Sequence, residues 1–187
     1  MVHAIGKRRR YVLLDRDGTI IIDRVYLSDP EGVELIQGAA SGLRKLSSLG
    51  LGLIIVTNQS AIGRGHLDLP GLARVHDRLT DLLANEGIVL DGIYFCPHLP
   101  TDNCKCRKPR TGMVEQAQAD LHFDPTRSFM IGDNSCDMEL GRAVGATPLL
   151  VRTGHGKEIE AQGDLANQVV RDNLEDAAAY IENLLGR

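Results

Sequence analysis

The chain has 187 residues, enough to bury one full core and close to the size of a single domain. Hydrophobic residues at 43% and charged residues at 25% are ordinary globular values, which exclude collagen-like, disordered and small disulfide-stapled classes. A net charge of -4, with three Phe, four Tyr and no Trp, argues against a nucleic-acid groove built from basic residues and stacking rings.

Lys7, Arg8, Arg9 and Arg10 form a short basic run, and residues 1–10 are expected to be a flexible, solvated tail. A signal peptide is not expected, because Tyr11 to Leu14 run straight into Asp15 and leave no apolar stretch of adequate length. Apolar runs such as Leu53 to Val56 are far too short to span a bilayer. Short β-rich runs bounded by turns predict strands over Tyr11 to Asp15, Leu53 to Thr57, Gly92 to Cys96, Ser128 to Asp133 and Pro148 to Arg152. Between them Leu43, Leu46 and Leu49 recur at helical spacing, as do Leu72, Val75, Leu79 and Leu82, then Leu174, Ala178, Ile181 and Leu185; these stripes read as core faces. Gly50 and Gly87 suit helix ends, Pro70 a first turn, and Asn173 with Asp176 a capping pair. Strands alternating with helices predict the α/β class: a three-layer, Rossmann-like parallel sheet with helices on both faces. No repeat, low-complexity segment or linker divides residues 1–187, which read as one domain.

Where the first predicted strand ends, Asp15-Arg16-Asp17-Gly18-Thr19 sets two carboxylates two residues apart, and strand periodicity aims both to one side. Ligands of open α/β sheets bind beyond the carboxyl ends of strands, so the place suits a site. Asp and Gly are also common turn formers, and the pair alone is ambiguous. It has company: the second run ends in Thr57-Asn58-Gln59-Ser60, Lys108 follows a short loop, and a later run ends in Gly132-Asp133. Cys96, His98, Cys104 and Cys106 add a C-x-H-x5-C-x-C pattern, while Cys136 stands apart. Three thiols and an imidazole are the ligands of a closed tetrahedral zinc site in a reducing compartment, so the cytoplasm is the expected location. Four protein ligands leave no open coordination position, and the zinc in loop 96–106 reads as structural, fixing where Arg107 and Lys108 point.

These strand-tip motifs, in this order, resemble the haloacid dehalogenase (HAD) superfamily of phosphatases. The resemblance implies that Asp15 is the nucleophile and that Asp17 is first general acid, then general base. It implies a phosphoryl hydrogen bond from Thr57, charge neutralisation by Lys108, and Mg2+ held by Asp15, the backbone carbonyl of Asp17, and Asp133, with Asp137 supporting that shell. The zinc loop, Arg107-Lys108-Pro109, Arg64-Gly65 and Val151-Arg152-Thr153-Gly154 narrow the likeness to the heptose-bisphosphate phosphatases over roughly residues 11 to 155. Implied substrate contacts are Asp23, Arg24, Val25, Tyr26, Asn58, Gln59, Ser60 and Arg107. Asn134 joins them at a position where several members carry lysine, and Thr111 replaces a proline before the Gly-Met pair. The implied partner is a small phosphorylated sugar, heptose 1,7-bisphosphate losing its C7 phosphate in nucleotide-activated heptose biosynthesis; no nucleic acid or membrane is implied, and a monomer is expected. The intervals from Thr19 to Thr57 and from Asn58 to Lys108 leave no length for a large cap domain, so an open site is expected. Histidinol-phosphate phosphatases share the zinc loop, and polynucleotide 3'-phosphatases share Thr57 to Gly65 without it. A zinc-stabilised binding module is the non-enzymatic alternative, and the full set Asp15, Asp17, Lys108 and Asp133 speaks against it.

Overall fold

The computed structural model describes residues 9–163 and 168–186. Six apolar runs form strands: β1 (Tyr11–Leu14), β2 (Gly52–Asn58), β3 (Gly92–Cys96), β4 (Phe129–Gly132), β5 (Thr147–Val151) and β6 (Val169–Arg171). All pair in parallel, in the order β3-β2-β1-β4-β5-β6. Parallel pairing forces a crossover between consecutive strands. The helical elements are α1 (Ala39–Ser48), α2 (Ser60–Gly63), α3 (Leu69–Asn85), α4 (Gly112–Leu121), α5 (Ser135–Ala143), α6 (Gly156–Ala161) and α7 (Leu174–Leu184).

Two cores follow from the alternation of side chains along each strand. Val12, Leu14, Leu53, Ile55, Phe129, Ile131, Leu149 and Val151 pack on one face against α1, α3 and α7, whose Leu43, Leu46, Val75, Leu79, Ala178 and Ile181 are fully buried. Tyr11, Leu13, Ile54, Val56, Tyr94 and Met130 pack on the other against Met113, Val114 and Ala117 of α4 and Leu140 of α5. The three-layer sheet predicted from sequence is thus the fold. Between β1 and β2 lie a loop with a single 3-10 turn (Pro30–Gly32) and α1, and between β2 and β3 only α2 and α3. No cap domain stands among the described residues.

Helix ends follow the sequence closely. The Asp68 side chain accepts from the Gly71 N–H with Pro70 in the first turn of α3, and Asn173 accepts from the Asp176 N–H at the start of α7. Gly50 and Gly87 adopt φ of 76° and 73° just past α1 and α3. Residues 1–8 of the expected tail lie outside the described residues, whereas Arg9 donates to Asp91 at 2.7 Å and to the Leu51 carbonyl at 3.1 Å. No helix among the described residues is long and apolar enough to cross a membrane.

The direction of chain progress across the sheet reverses between β1 and β4, which leaves a crevice at their carboxyl ends. Asp15 and Asp133 are the first residues past those two strands.

Candidate active site

Asp15 is held in line with the sheet by its N–H, which donates to the Ile131 carbonyl at 2.9 Å. Its Oδ1 accepts from the Arg16 N–H at 2.7 Å and lies 2.7 Å from Lys108 Nζ. Lys108 arrives from the loop between β3 and α4, and Asn58 at the end of β2 anchors it: Lys108 N–H donates to Asn58 Oδ1 at 3.0 Å, and Asn58 Nδ2 donates back at 3.4 Å. The ammonium is buried, with Asp15 and Asp137 each at 2.7 Å and the Val56 carbonyl at 2.9 Å. With two carboxylates and a carbonyl around it, it acts on a ligand chiefly through its charge.

Asp137 sits fully buried in the first turn of α5 and accepts from the Asn134 N–H at 3.1 Å. Asp133 Oδ2 accepts from the His155 N–H at 2.8 Å, inside a cradle made by Gly18 and Gly154. A Cβ on either glycine would stand 2.2 Å or 2.0 Å from that oxygen, and both have positive φ, so only glycine fits at these two positions.

Oxygens of Asp15, Asp133 and Asp137 lie within 4.8 Å of one another. Burial pushes Asp15 up to about 8, Lys108 opposing and Asp137 and Asp133 adding to the rise. Burial likewise lifts Asp133 to about 6 against the His155 N–H. Burial works against the Lys108 charge too, yet Asp137 and Asp15 outweigh it and hold its pKa above the ordinary lysine value. Three carboxylates against one ammonium leave a negative excess lined by oxygen, a donor set that fits a hard divalent cation such as magnesium.

A cleft of about 470 Å³ opens over this cluster, lined by Asp15, Asp17, Asp23, Thr57, Asn58, Ser60, Arg107, Lys108, Asp133, Asn134, Cys136 and His155. Thr57 is buried at the end of β2, and its Oγ1 accepts from Gln59 Nε2 at 2.8 Å, leaving its own proton to donate. Several predicted contacts stand elsewhere. Gln59 is buried behind the cleft between Asp17, Thr57 and Arg16, where its amide is fully employed. Arg24 turns away to donate to the Gly32 carbonyl and to Glu34. Val25, at φ 63°, lines a neighbouring apolar hollow with Ile22 and Ile36. Tyr26 stacks near His66 at 4.7 Å, with Arg64 6.0 Å over its ring. Asn134 lines the cleft, but its Oδ1 caps α5 by accepting from the Cys136 N–H at 3.5 Å.

The loop after β3 gathers Cys96, His98, Cys104 and Cys106. His98 Nδ1 is 3.2 Å from Cys106 Sγ, and Cys96 Sγ is 3.5 Å from Cys104 Sγ and 3.2 Å from Cys106 Sγ. Zn–S bonds of ~2.3 Å in a tetrahedron set sulfurs about 3.8 Å apart, so these separations suit a shared metal better than a disulfide. Burial raises Cys104, but the Arg107 N–H and the neighbouring thiols outweigh it and bring this thiol down to about 7, in reach of metal binding near neutral pH. Burial pushes Cys96 the other way, up to about 12. Arg107 Nη1 donates to the His98 carbonyl at 3.4 Å, tying the arginine to the loop.

Sequence reasoning gave no role to Arg16, His76, Cys136 or His155. His155 had a signal, its place directly after the Thr153-Gly154 turn at the end of β5. Arg16 had another, since alternation sends it opposite Asp15 and Asp17, where a buried guanidinium needs partners.

A carboxylate-bearing strand tip beside a buried lysine and a second acidic strand tip, at the switch point of a 3-2-1-4-5-6 parallel sheet, define a hydrolase of the HAD-like class, and the HAD phosphatases use Mg2+. The family model described as "HAD-hyrolase-like" matches residues 105–177. Among solved structures, D,D-heptose 1.7-bisphosphate phosphatase from B. bronchiseptica, complexed with magnesium and phosphate, superposes with a TM-score of 0.88 at 31% identity, covering 94% of this chain and 99% of that one. The D-glycero-beta-D-manno-heptose-1,7-bisphosphate 7-phosphatases of Haemophilus ducreyi and Escherichia coli K12 are each 38% identical, over 92% and 91% of this chain and 98% and 93% of theirs. The chain belongs to this D-glycero-beta-D-manno-heptose-1,7-bisphosphate 7-phosphatase family.

Proposed function

We propose that the chain hydrolyses the C7 phosphate of D-glycero-β-D-manno-heptose 1,7-bisphosphate and releases heptose 1-phosphate, with Asp15 as the nucleophile. The observation that carries this reading is the placement of Asp15, Asp17, Lys108 and Arg107 around one cleft, with the two cations next to each other in the chain. A carboxylate oxygen of Asp15 bonds to phosphorus as the bond from phosphorus to the C7 oxygen breaks. The electron pair leaves on that oxygen, which takes a proton from Asp17. Asp17 then takes a proton from water, whose oxygen bonds to phosphorus as the phospho-aspartyl bond breaks, restoring the Asp15 carboxylate and freeing inorganic phosphate. Thr57 donates to a phosphoryl oxygen, and the Lys108 charge offsets the repulsion between Asp15 and the incoming anion.

Asp15, Asp133 and the Asp17 carbonyl would hold magnesium, which supplies further positive charge for the transferring group. Cys96, His98, Cys104 and Cys106 would hold zinc, whose part is to fix the loop that carries Arg107. Arg107 reads the distal part of the sugar bisphosphate, Asp23, Ser60 and Asn134 line the way to it, and Asn58 and Gln59 serve the substrate indirectly through Lys108 and Asp17. Three thiols and an imidazole gathered at metal-binding separations support a reducing, cytoplasmic setting, and a cleft lined by residues of one chain is in keeping with a monomer.

The test is a kinetic panel of both anomers of heptose 1,7-bisphosphate, histidinol phosphate and a 3'-phosphorylated oligonucleotide, combined with mass spectrometry of Asp17→Asn after turnover. The β-anomer should have the highest kcat/KM and phosphate should accumulate on Asp15. A preference for histidinol phosphate, or phosphate on another residue, overturns the assignment.

A further inference from the structure

Arg16 is a charged side chain with 1% exposure, wedged between the two catalytic aspartates in sequence, and the chemistry above gives it no task. Its guanidinium grips Asp17 side-on: Nε donates to Oδ1 at 3.3 Å and Oδ2 at 3.1 Å, and Nη2 donates to Oδ1 at 3.0 Å. Nη2 also reaches Gln59 Oε1 at 2.9 Å, and Nη1 contacts His76 Nε2 at 3.1 Å. Guanidinium has no acceptor, so His76 Nε2 must be the accepting nitrogen and the ring is neutral with its proton on Nδ1. Burial, then the Arg16 charge, lowers His76 to about 4, in keeping with that state. Gln59 closes the ring, one Nε2 proton going to Asp17 Oδ2 at 2.8 Å and the other to Thr57 Oγ1 at 2.8 Å.

Both oxygens of Asp17 are therefore held: Oδ1 accepts from Nε and Nη2 of Arg16, and Oδ2 accepts from Nε and from Gln59, with Nη2 also 2.9 Å away. The carboxylate that lines the cleft is fixed in one orientation by these contacts. We infer that Arg16, Gln59 and His76 are positioning residues that hold the Asp17 carboxyl in the orientation from which it carries the catalytic proton to the leaving oxygen. The inference rests on the acid role of Asp17 proposed above. His76, on α3, makes the grip directional: with Nη1 committed to the helix, the guanidinium cannot pivot and let the carboxylate turn. In a folding role alone, Arg16 would be indifferent to which ester is being cleaved. As an aiming device it matters most where the departing oxygen needs a proton.

The deciding experiment compares kcat/KM for p-nitrophenyl phosphate, whose phenolate leaves unaided, with p-nitrobenzyl phosphate, similar in shape but leaving as an alkoxide. kcat/KM reports the steps through leaving-group departure, so a slow second half-reaction does not mask the effect. The full chain with magnesium is used, as wild type, Asp17→Asn, Arg16→Lys, His76→Leu and Gln59→Leu. Asp17→Asn should lose roughly 10²- to 10⁴-fold on the benzyl ester and far less on the phenyl ester. Arg16→Lys and His76→Leu should each lose about tenfold on the benzyl ester, the size of one lost contact to a charged group, with little change on the phenyl ester, and Gln59→Leu, which also frees Thr57 Oγ1, should slow the benzyl ester more than the phenyl ester. If Asp17→Asn slows both esters equally, the acid role itself falls. If Asp17→Asn discriminates but the other three slow both esters alike, or neither, the positioning role falls and the acid role stands. Should Arg16→Lys fail to fold, His76→Leu and Gln59→Leu, which leave the guanidinium in place, decide alone.

Discussion

The carboxylate cluster and the thiol loop approach each other at Arg107 and Lys108, and they are assembled by opposite means. Asp15, Asp133 and Asp137 converge from β1, the end of β4 and α5, so the sheet sets their geometry. Cys96 closes β3, and His98, Cys104 and Cys106 follow it within the single stretch 96–106, so one strand end and its loop set their geometry. One cluster is oxygen, crowded with negative charge; the other is sulfur and nitrogen, free of carboxylates. In the function proposed above the contrast separates two jobs: the dispersed cluster performs the reaction, and the local loop aims a cation at whatever lies beyond the phosphate.

Breaking the dispersed cluster should have the largest effect. Asp15→Asn should lower turnover of every ester by at least about 10⁴-fold, given that enzymatic accelerations begin near 10⁶. Circular dichroism and zinc content should stay as in the wild type; residual turnover above that level, or loss of zinc, would show that the two regions are not independent.

Arg107→Ala touches the loop's output without touching its ligands. It should lower kcat/KM for the sugar bisphosphate by about 10- to 150-fold, the equivalent of about 1.5 to 3 kcal/mol for a lost charge-assisted contact, while p-nitrophenyl phosphate is scarcely affected. Equal losses on both esters would remove the division of labour.

Cys104→Ala acts one step further back. Elemental analysis should find one zinc per wild-type chain and a clear deficit in the variant. The Tm should fall on the order of 5 °C, and turnover of the bisphosphate, but not of p-nitrophenyl phosphate, should drop about as far as in Arg107→Ala. Full zinc retention, or zinc loss with no change in Tm or turnover, would end the structural role of the loop.

The smallest effect is a pH dependence of stability. Asp15 at about 8 and Asp133 at about 6 both lie above the ordinary aspartate value of 3.8. The folded chain then binds protons more tightly than the unfolded one between these limits, so stability is fullest below 3.8 and is lost as pH rises toward about 8. Lys108 is shifted upward from a higher starting value and leaves this window alone. Scanning calorimetry of magnesium-free, zinc-retaining protein should show Tm declining between pH 6 and about 8, the limit set by Asp15. Asp15→Asn and added magnesium should each flatten that decline, and a Tm that rises over this range would contradict the charge-crowded picture.

Asp15, Asp17, Thr57 and Asp133 were legible because each is a polar residue at or near the end of an apolar run, and a parallel sheet brings such ends together; Lys108 was legible instead from the Arg107-Lys108-Pro109 run just past the thiol loop. The five longer strands were legible for the same reason, whereas β6 is three half-exposed residues, too short for any period to register. Gln59 and Arg24 could not be placed by adjacency to a motif. Gln59 is claimed by Asp17, 42 residues away in the chain, and Arg24 by its own loop at Gly32 and Glu34. Arg16 was left without a role for a related reason: alternation sets it opposite the two aspartates, but its partners Gln59 and His76 arrive from the end of β2 and from α3, far along the chain.

Cys96 and Cys106, the first and last thiols of the loop, stand 3.2 Å apart at their sulfurs, so the segment leaves and rejoins the body of the protein at nearly one point. Such a segment is a detachable part in the evolutionary sense. An ancestral exchange of the intervening residues for a short turn would leave every strand of the sheet in register, and the chemistry at β1 and β4 could pass between lineages with or without the aiming device attached.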